Sequence, residues 1–125
     1  ISEMPIHLNS YEGEWVQIGD DINGQAANDR FGTSVSLSAN GLVVAVGSPN
    51  NEDNGFLSGN TRVFGYKGGE WVQNGQDILG ETIADQSGSS VSISADGRTV
   101  AVGSPRNRGN GFWSGSVRVY QNGLT

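Results

Sequence analysis

Residues 34–49 read SVSLSANGLVVAVGSP, and residues 90–105 read SVSISADGRTVAVGSP. This internal duplication is the strongest constraint on the fold. Sliding the chain by 56 residues lays residues 14–69 over residues 70–125 without a gap, and 30 of the 56 pairs are identical. Glu14-Trp15-Val16-Gln17 falls on Glu70-Trp71-Val72-Gln73, Gly32 on Gly88, Phe56 on Phe112, and Arg62-Val63 on Arg118-Val119. A gapless period of this length marks a stacked or circular array, in which each copy is one supersecondary unit that buries its faces against its neighbours. The sequence therefore divides into an N-terminal arm at residues 1–13, a first repeat at 14–69 and a second at 70–125.

Within a copy the period is that of strands. Val35 and Leu37 alternate with serines and so share one face. Ala-Asn-Gly or Ala-Asp-Gly follows, a tight reversal of the kind that tolerates the positive φ of a type I′ hairpin turn. The β-branched run LVVAVGS or RTVAVGS then reads as a strand buried on both faces. Pro49 and Pro105 end it, since proline cannot extend a ladder. A long polar loop leads to a third strand at 60–66, or 117–120 in the second copy, and EWVQ forms a fourth. No window carries helical spacing of apolar residues. The expected fold class is all-β, in four-stranded antiparallel propeller-type blades.

The residues DRFGTSVSLSANGLVVAVGSP, followed by a glycine-bearing loop and TRVFGY, resemble the FG-GAP repeat of integrin-α-type β-propellers. Phe31-Gly32 stands for the FG and Gly47-Ser48-Pro49 for the GAP; the second copy keeps Gly103-Ser104-Pro105 but has Ser87-Gly88 at the FG position. The resemblance covers essentially the whole chain. It implies propeller blades and, by analogy, extracellular or cell-surface recognition or adhesion. Many repeats of that family hold calcium on the loop after the first strand. The corresponding positions here are Ser36, Ser38, Asn40 and Val44, and then Ser92, Ser94, Asp96 and Val100. One carboxylate, or none, does not replace the hydration shell of a divalent cation, so no metal or other cofactor is expected. Asp29 and Asp85, just ahead of the FG position, are expected to accept backbone N–H bonds.

Composition excludes several function classes. A formal charge of −6 and a pI of about 4.5 argue against a nucleic-acid partner, which needs a basic face. Without cysteine there is neither thiol chemistry nor a disulfide. No apolar run approaches the roughly 18 residues of a membrane span. His7 is the only histidine, and no serine has a repeated base beside it, so the chain is expected to be non-enzymatic.

Ligand contacts are expected in the long loop, where the copies differ most: Asn51, Asp53 and Phe56 in the acidic first copy, and Arg106, Arg108 and Trp113 in the basic second. Trp15 and Trp71 are expected to pack between blades, and Phe56 and Phe112 to anchor the long loops. Residues 14–18 are expected to form a fourth strand ahead of the first complete blade, with a further strand at residues 6–11. The chain thus begins and ends inside blades, and two blades do not close a ring of about four to eight. The incomplete propeller is completed either by further blades of a longer chain or by copies of itself, in a ring or a filament, through strand complementation. The alternatives are a lectin-like propeller with a glycan or protein ligand, and part of a propeller-scaffold enzyme.

Overall fold

The computed structural model describes residues 13–123. It is all-β, with eight strands and no helix among the described residues. Strands β1 (Ser34–Leu37), β2 (Val43–Ser48), β3 (Asn60–Lys67) and β4 (Glu70–Gln73) form an antiparallel meander, and β5 (Ile78–Leu79) pairs with the start of β3. Strands β6 (Ser90–Ile93), β7 (Thr99–Ser104) and β8 (Ser116–Gln121) form a second antiparallel meander. The registers repeat with the sequence: Val35 faces Val46 as Val91 faces Val102, and Ala45 faces Val63 as Ala101 faces Val119.

Residues directly opposite in a ladder share a face. One face of the first sheet carries Ser34, Ser36, Ala45, Gly47, Thr61 and Val63, and it packs on the second sheet's Val91, Ile93, Val100 and Val102. Ala45, Val100 and Val102 form the centre of the core. The sheets approach closely because glycines line the contact. A Cβ on Gly47 would collide with the Gly88 carbonyl, and a Cβ on Gly88 would stand 2.7 Å from the Asn60 carbonyl oxygen. Across the same seam the Ser34 hydroxyl donates to the Gly88 carbonyl at 2.7 Å, and the Ile93 N–H donates to Ser36 Oγ at 3.0 Å. The glycines of the FG and GSP positions thus meet between neighbouring sheets.

The expected EWVQ strand is β4, paired with the end of β3. After it the Asn74 N–H makes a last bond to the Val63 carbonyl at 2.7 Å, residues 75–77 leave the ladder, and the short β5, not expected from the sequence, pairs with the start of β3. Gly75, at φ 75°, makes that departure, and Asp77 is drawn toward Arg62 within it. Three expectations change. The reversal between β1 and β2 is not a type I′ turn, because Gly41 has positive φ and Asn40 does not. Instead Ser38 N–H bonds the Val43 carbonyl around a four-residue loop closed by side chains. Residues 14–18 form no strand, because among the described residues they have no ladder partner; Trp15 is fully exposed, not packed between blades. The strand expected at residues 6–11 lies outside the described residues.

Candidate functional site

Two features of the surface stand out, the long loops and the open side of the second sheet. The loops are built alike. Asn51 is buried in the first; its Nδ2 donates to Asp29 at 2.9 Å and its Oδ1 accepts the Asp53 N–H at 2.9 Å. In the second, Asn107 Nδ2 donates to Asp85 at 3.0 Å and Asn107 Oδ1 accepts the Gly109 N–H at 2.8 Å. An Asp–Asn pair therefore ties each long loop to the turn preceding its sheet. The role of Asn107 was legible only through its alignment with Asn51. Asp85 also accepts the Thr82 N–H, as expected; the side-chain partner of Asp29 is the Asn51 amide.

The six candidate ligand residues divide accordingly. Asn51 lies inside its loop, whereas Asp53, Phe56, Arg106, Arg108 and Trp113 lie on the surface. Phe56 and Phe112 do not anchor their loops, since both project outward. In the first loop the backbone makes the contact instead: the Phe56 and Leu57 carbonyls accept the N–H groups of Ala84 and Gln86 in the next copy's turn. In the second loop the side chains form a continuous stack. The Arg106 guanidinium lies 4.3 Å from the centre of the Trp113 ring, Trp113 stacks on Phe112 at 4.8 Å, and Arg108 lies 4.6 Å from the centre of Phe112. The first copy, with Asn50, Glu52, Phe56 and Leu57 at these positions, has no such stack.

The open side concerns β3 and β8. On the first sheet Arg62 is buried, and its Nε pairs with Asp77 at 3.1 Å. Asp77 also accepts from Gln73 Nε2 at 2.6 Å and Asn60 Nδ2 at 3.1 Å. Partial burial pushes its carboxyl up, but the hydrogen bonds from Gln73 and Asn60 and the Arg62 charge outweigh it and hold the carboxyl below the ordinary aspartate value. Trp71 on β4 donates its indole N–H to the Ile18 carbonyl at 3.0 Å and packs on Tyr66. On the second sheet, β8 has no further strand beyond it among the described residues. Arg118 pairs there with Glu81 at the surface, and among the described residues the buried Ser116 hydroxyl has no partner. Beside this edge lies a cleft of about 440 Å³ whose lining includes Asn74, Gly75, Ile93, Tyr120 and Asn122.

The turns after β1 and β6 are held by their own side chains. Asn40 Oδ1 accepts from Ser38 Oγ and the Leu42 N–H, both at 2.9 Å. Asp96 accepts from Ser94 Oγ at 2.7 Å and the Arg98 N–H at 3.0 Å, which hold its carboxyl below the ordinary value. Among the described residues no three His, Cys, Asp or Glu side chains converge as a metal site would require, and no helix is long and apolar enough to cross a membrane.

No curated protein matches the chain. Residues 22–64 match the FG-GAP repeat family. That segment contains the Phe31-Gly32 turn, β1, β2, the first long loop and most of β3. With its antiparallel meander and its glycine-to-glycine contact on the next sheet, this segment is an FG-GAP repeat, the unit of a propeller-type module.

Proposed function

We propose that the chain is a non-enzymatic extracellular recognition or structural module whose FG-GAP-type blades act within a larger stack that it forms with copies of itself. One observation carries this reading. The face by which the first sheet packs on the second recurs on the second sheet, where it is open: Val117 is 68% exposed and Val119 66%, while their counterpart Thr61 is fully buried and Val63 partly so. A β surface meant for water carries polar residues at such positions, whereas here the open copy is the more apolar one. The opposite side of the stack is open along its first strand, while Val46 and Phe64 beyond it are covered, Phe31 standing edge-on to Phe64. Val35 and Leu37 are 63% and 59% exposed, although their counterparts Val91 and Ile93 pack between the sheets. The two open faces are the halves of the contact already made inside the chain, so a head-to-tail stack repeats a packing the chain is built for.

Sedimentation equilibrium tests the reading. The chain is expected to associate well above 13.1 kDa in a concentration-dependent way. Val119→Asp, which charges the open face, is expected to return it to 13.1 kDa with its circular dichroism unchanged. A parent chain that sediments as a monomer at high concentration would remove the self-assembly from this reading.

A second reading, a lectin-like module, is favoured by the Arg106–Trp113–Phe112–Arg108 stack, an exposed basic and aromatic surface on a loop that Asn107 ties to Asp85. A glycan array probed with the parent chain and with Trp113→Ala tests it. Binding that disappears in the variant supports the lectin, and an array without binding refutes it.

A further inference from the structure

The first blade shows what completes an edge. Its β4 and β5, with the link between them, set Trp71 against Ile18 and Gly19 and bring Gln73 and Asp77 to Arg62. The same residues stand 56 positions earlier: Trp15, Gln17 and Asp21 are the counterparts of Trp71, Gln73 and Asp77. Gln17 already donates to Asp21 at 2.8 Å, as Gln73 does to Asp77, so this half of the cluster is formed. Its arginine is missing. The counterpart of Arg62 is Arg118 on β8, and the counterpart of Asn60 is Ser116, whose buried hydroxyl has no partner among the described residues.

The tryptophan follows the same logic. At Gly19 a Cβ would stand 2.8 Å from Trp71 Cδ1, because the indole lies against that glycine. A Cβ at its counterpart Gly75 would meet nothing within 4 Å among the described residues, and Asn74, the counterpart of the indole acceptor Ile18, lines the cleft beside β8. Trp15 meanwhile is fully exposed. One edge thus carries an arginine and an open cleft, and a distant segment carries the aspartate and the tryptophan.

We infer that residues 14–23 of one copy pair with the open edge of β8 in a second copy, seating Trp15 against Gly75 and Asn74 and setting Asp21 on Arg118. This rests on the self-assembly reading above and names its junction. The register follows from the first blade. Phe64 pairs with Gln73 and Thr61 with Ile78, so Tyr120 receives the incoming Gln17 and Val117 the incoming Ile22. The backbone groups of β8 gain ladder partners and Arg118 gains a second carboxylate besides Glu81. Residues 14–23 and the β8 edge are different patches of the chain, so the contact is heterologous and repeats head to tail.

Charge exchange tests the junction. Asp21→Arg and Arg118→Asp each oppose like charges, and each alone is expected to weaken association by about tenfold or more. An equimolar mixture of the two variants restores opposite charges at every junction and is expected to recover the parent's sedimentation profile. A chain carrying Trp71→Phe and Trp113→Phe leaves Trp15 as its sole tryptophan; its emission is expected to shift to the blue and to resist iodide quenching as concentration rises. Circular dichroism confirms that each variant folds. If both charge variants associate like the parent, or the mixture fails to recover, the strand junction is wrong. If Val119→Asp still abolishes association in that case, the stacking reading survives without it. A monomeric parent overturns both.

Discussion

The two copies share 30 of 56 residues, yet the same side chains have opposite fates. Ala45 is fully buried and Ala101 is not; Pro49 is buried and Pro105 exposed; Gly47 is sealed and Gly103 half open. The local structure is the same in both, down to the register of each ladder. The difference comes from the neighbour: the first sheet has the second lying on this face, and among the described residues the second has nothing on it. Burial in a repeat protein belongs to the interface between units and not to the unit. Paired substitutions at equivalent positions separate what a residue does within its sheet from what it does between sheets.

The widest separation is expected at the glycines of the GSP motif. Gly47→Ala places a methyl group against the Gly88 backbone, which moves only if the sheets part. Its cost is expected to be about 3 kcal/mol. Gly103→Ala meets chiefly the Ser90 side-chain oxygen, which rotates away, and is expected to cost less than about 1 kcal/mol in the isolated chain. Urea unfolding of both variants at low concentration measures the difference; equal losses would show that the glycines serve their own strands and not the seam.

A smaller effect is expected in the core. Val102→Ala removes two methylene equivalents from a side chain only 1% exposed and should cost about 2 kcal/mol. Val119→Ala, on the open face, should change stability by less than about 0.5 kcal/mol in the monomer. If Val119→Ala destabilises the monomer as much as Val102→Ala, the open face is covered within a single chain.

The repeat, the strands and their meander order were legible because hydrophobic alternation, Asn-Gly and Asp-Gly turns and terminating prolines are local signals. The seam was not, because the reason for Gly47 and Gly88 is a contact between segments some forty residues apart. The fate of Trp15 was not legible either: its sequence context is that of Trp71, and only the presence of a pairing edge distinguishes a strand from an exposed segment. Of the loop candidates, Asn51 shows the same limit. A polar residue in a polar loop looks like a ligand contact until its amide is found holding Asp29 from inside.

Between Arg62 and Arg118 the contrast is electrostatic. Arg62 is buried and compensated by Asp77, whereas Arg118 pairs with an exposed Glu81. Asp77→Asn is expected to cost about 1.5 kcal/mol, less than a fully buried pair because the Asp77 side chain keeps 26% exposure. Arg118→Ala should cost below about 1 kcal/mol in the monomer, since surface pairs contribute little. The acid dependence has a definite sign. The folded Asp77 carboxyl titrates below its ordinary value of 3.8, so its stabilisation is fully present above that value and is lost as pH falls through the folded pKa. Asp77→Asn should therefore flatten the stability profile below about pH 4 and leave the shape above it unchanged. An identical acid limb in parent and variant would show that Asp77 does not couple to folding.

The smallest contrast is in the turns, where Asn40 and Asp96 do the same work with different charge. Each side-chain oxygen accepts a serine hydroxyl and a backbone N–H two residues on, so each fixes the exit of the chain into the next strand. Asn40→Ala leaves the Leu42 N–H without that acceptor at an exposed site and should cost about 1 kcal/mol. Asn40→Asp keeps the geometry and should retain parental stability at neutral pH. It should also add an acid-sensitive step like that of Asp96, whose lowered carboxyl pKa ties its contribution to the charged form. The measurement that decides is a pair of unfolding midpoints, at neutral pH and below the ordinary aspartate value. If Asn40→Ala unfolds like the parent, the turn is held by Gly41 and the backbone hydrogen bonds of Ser38 alone, and the side-chain bridge is incidental.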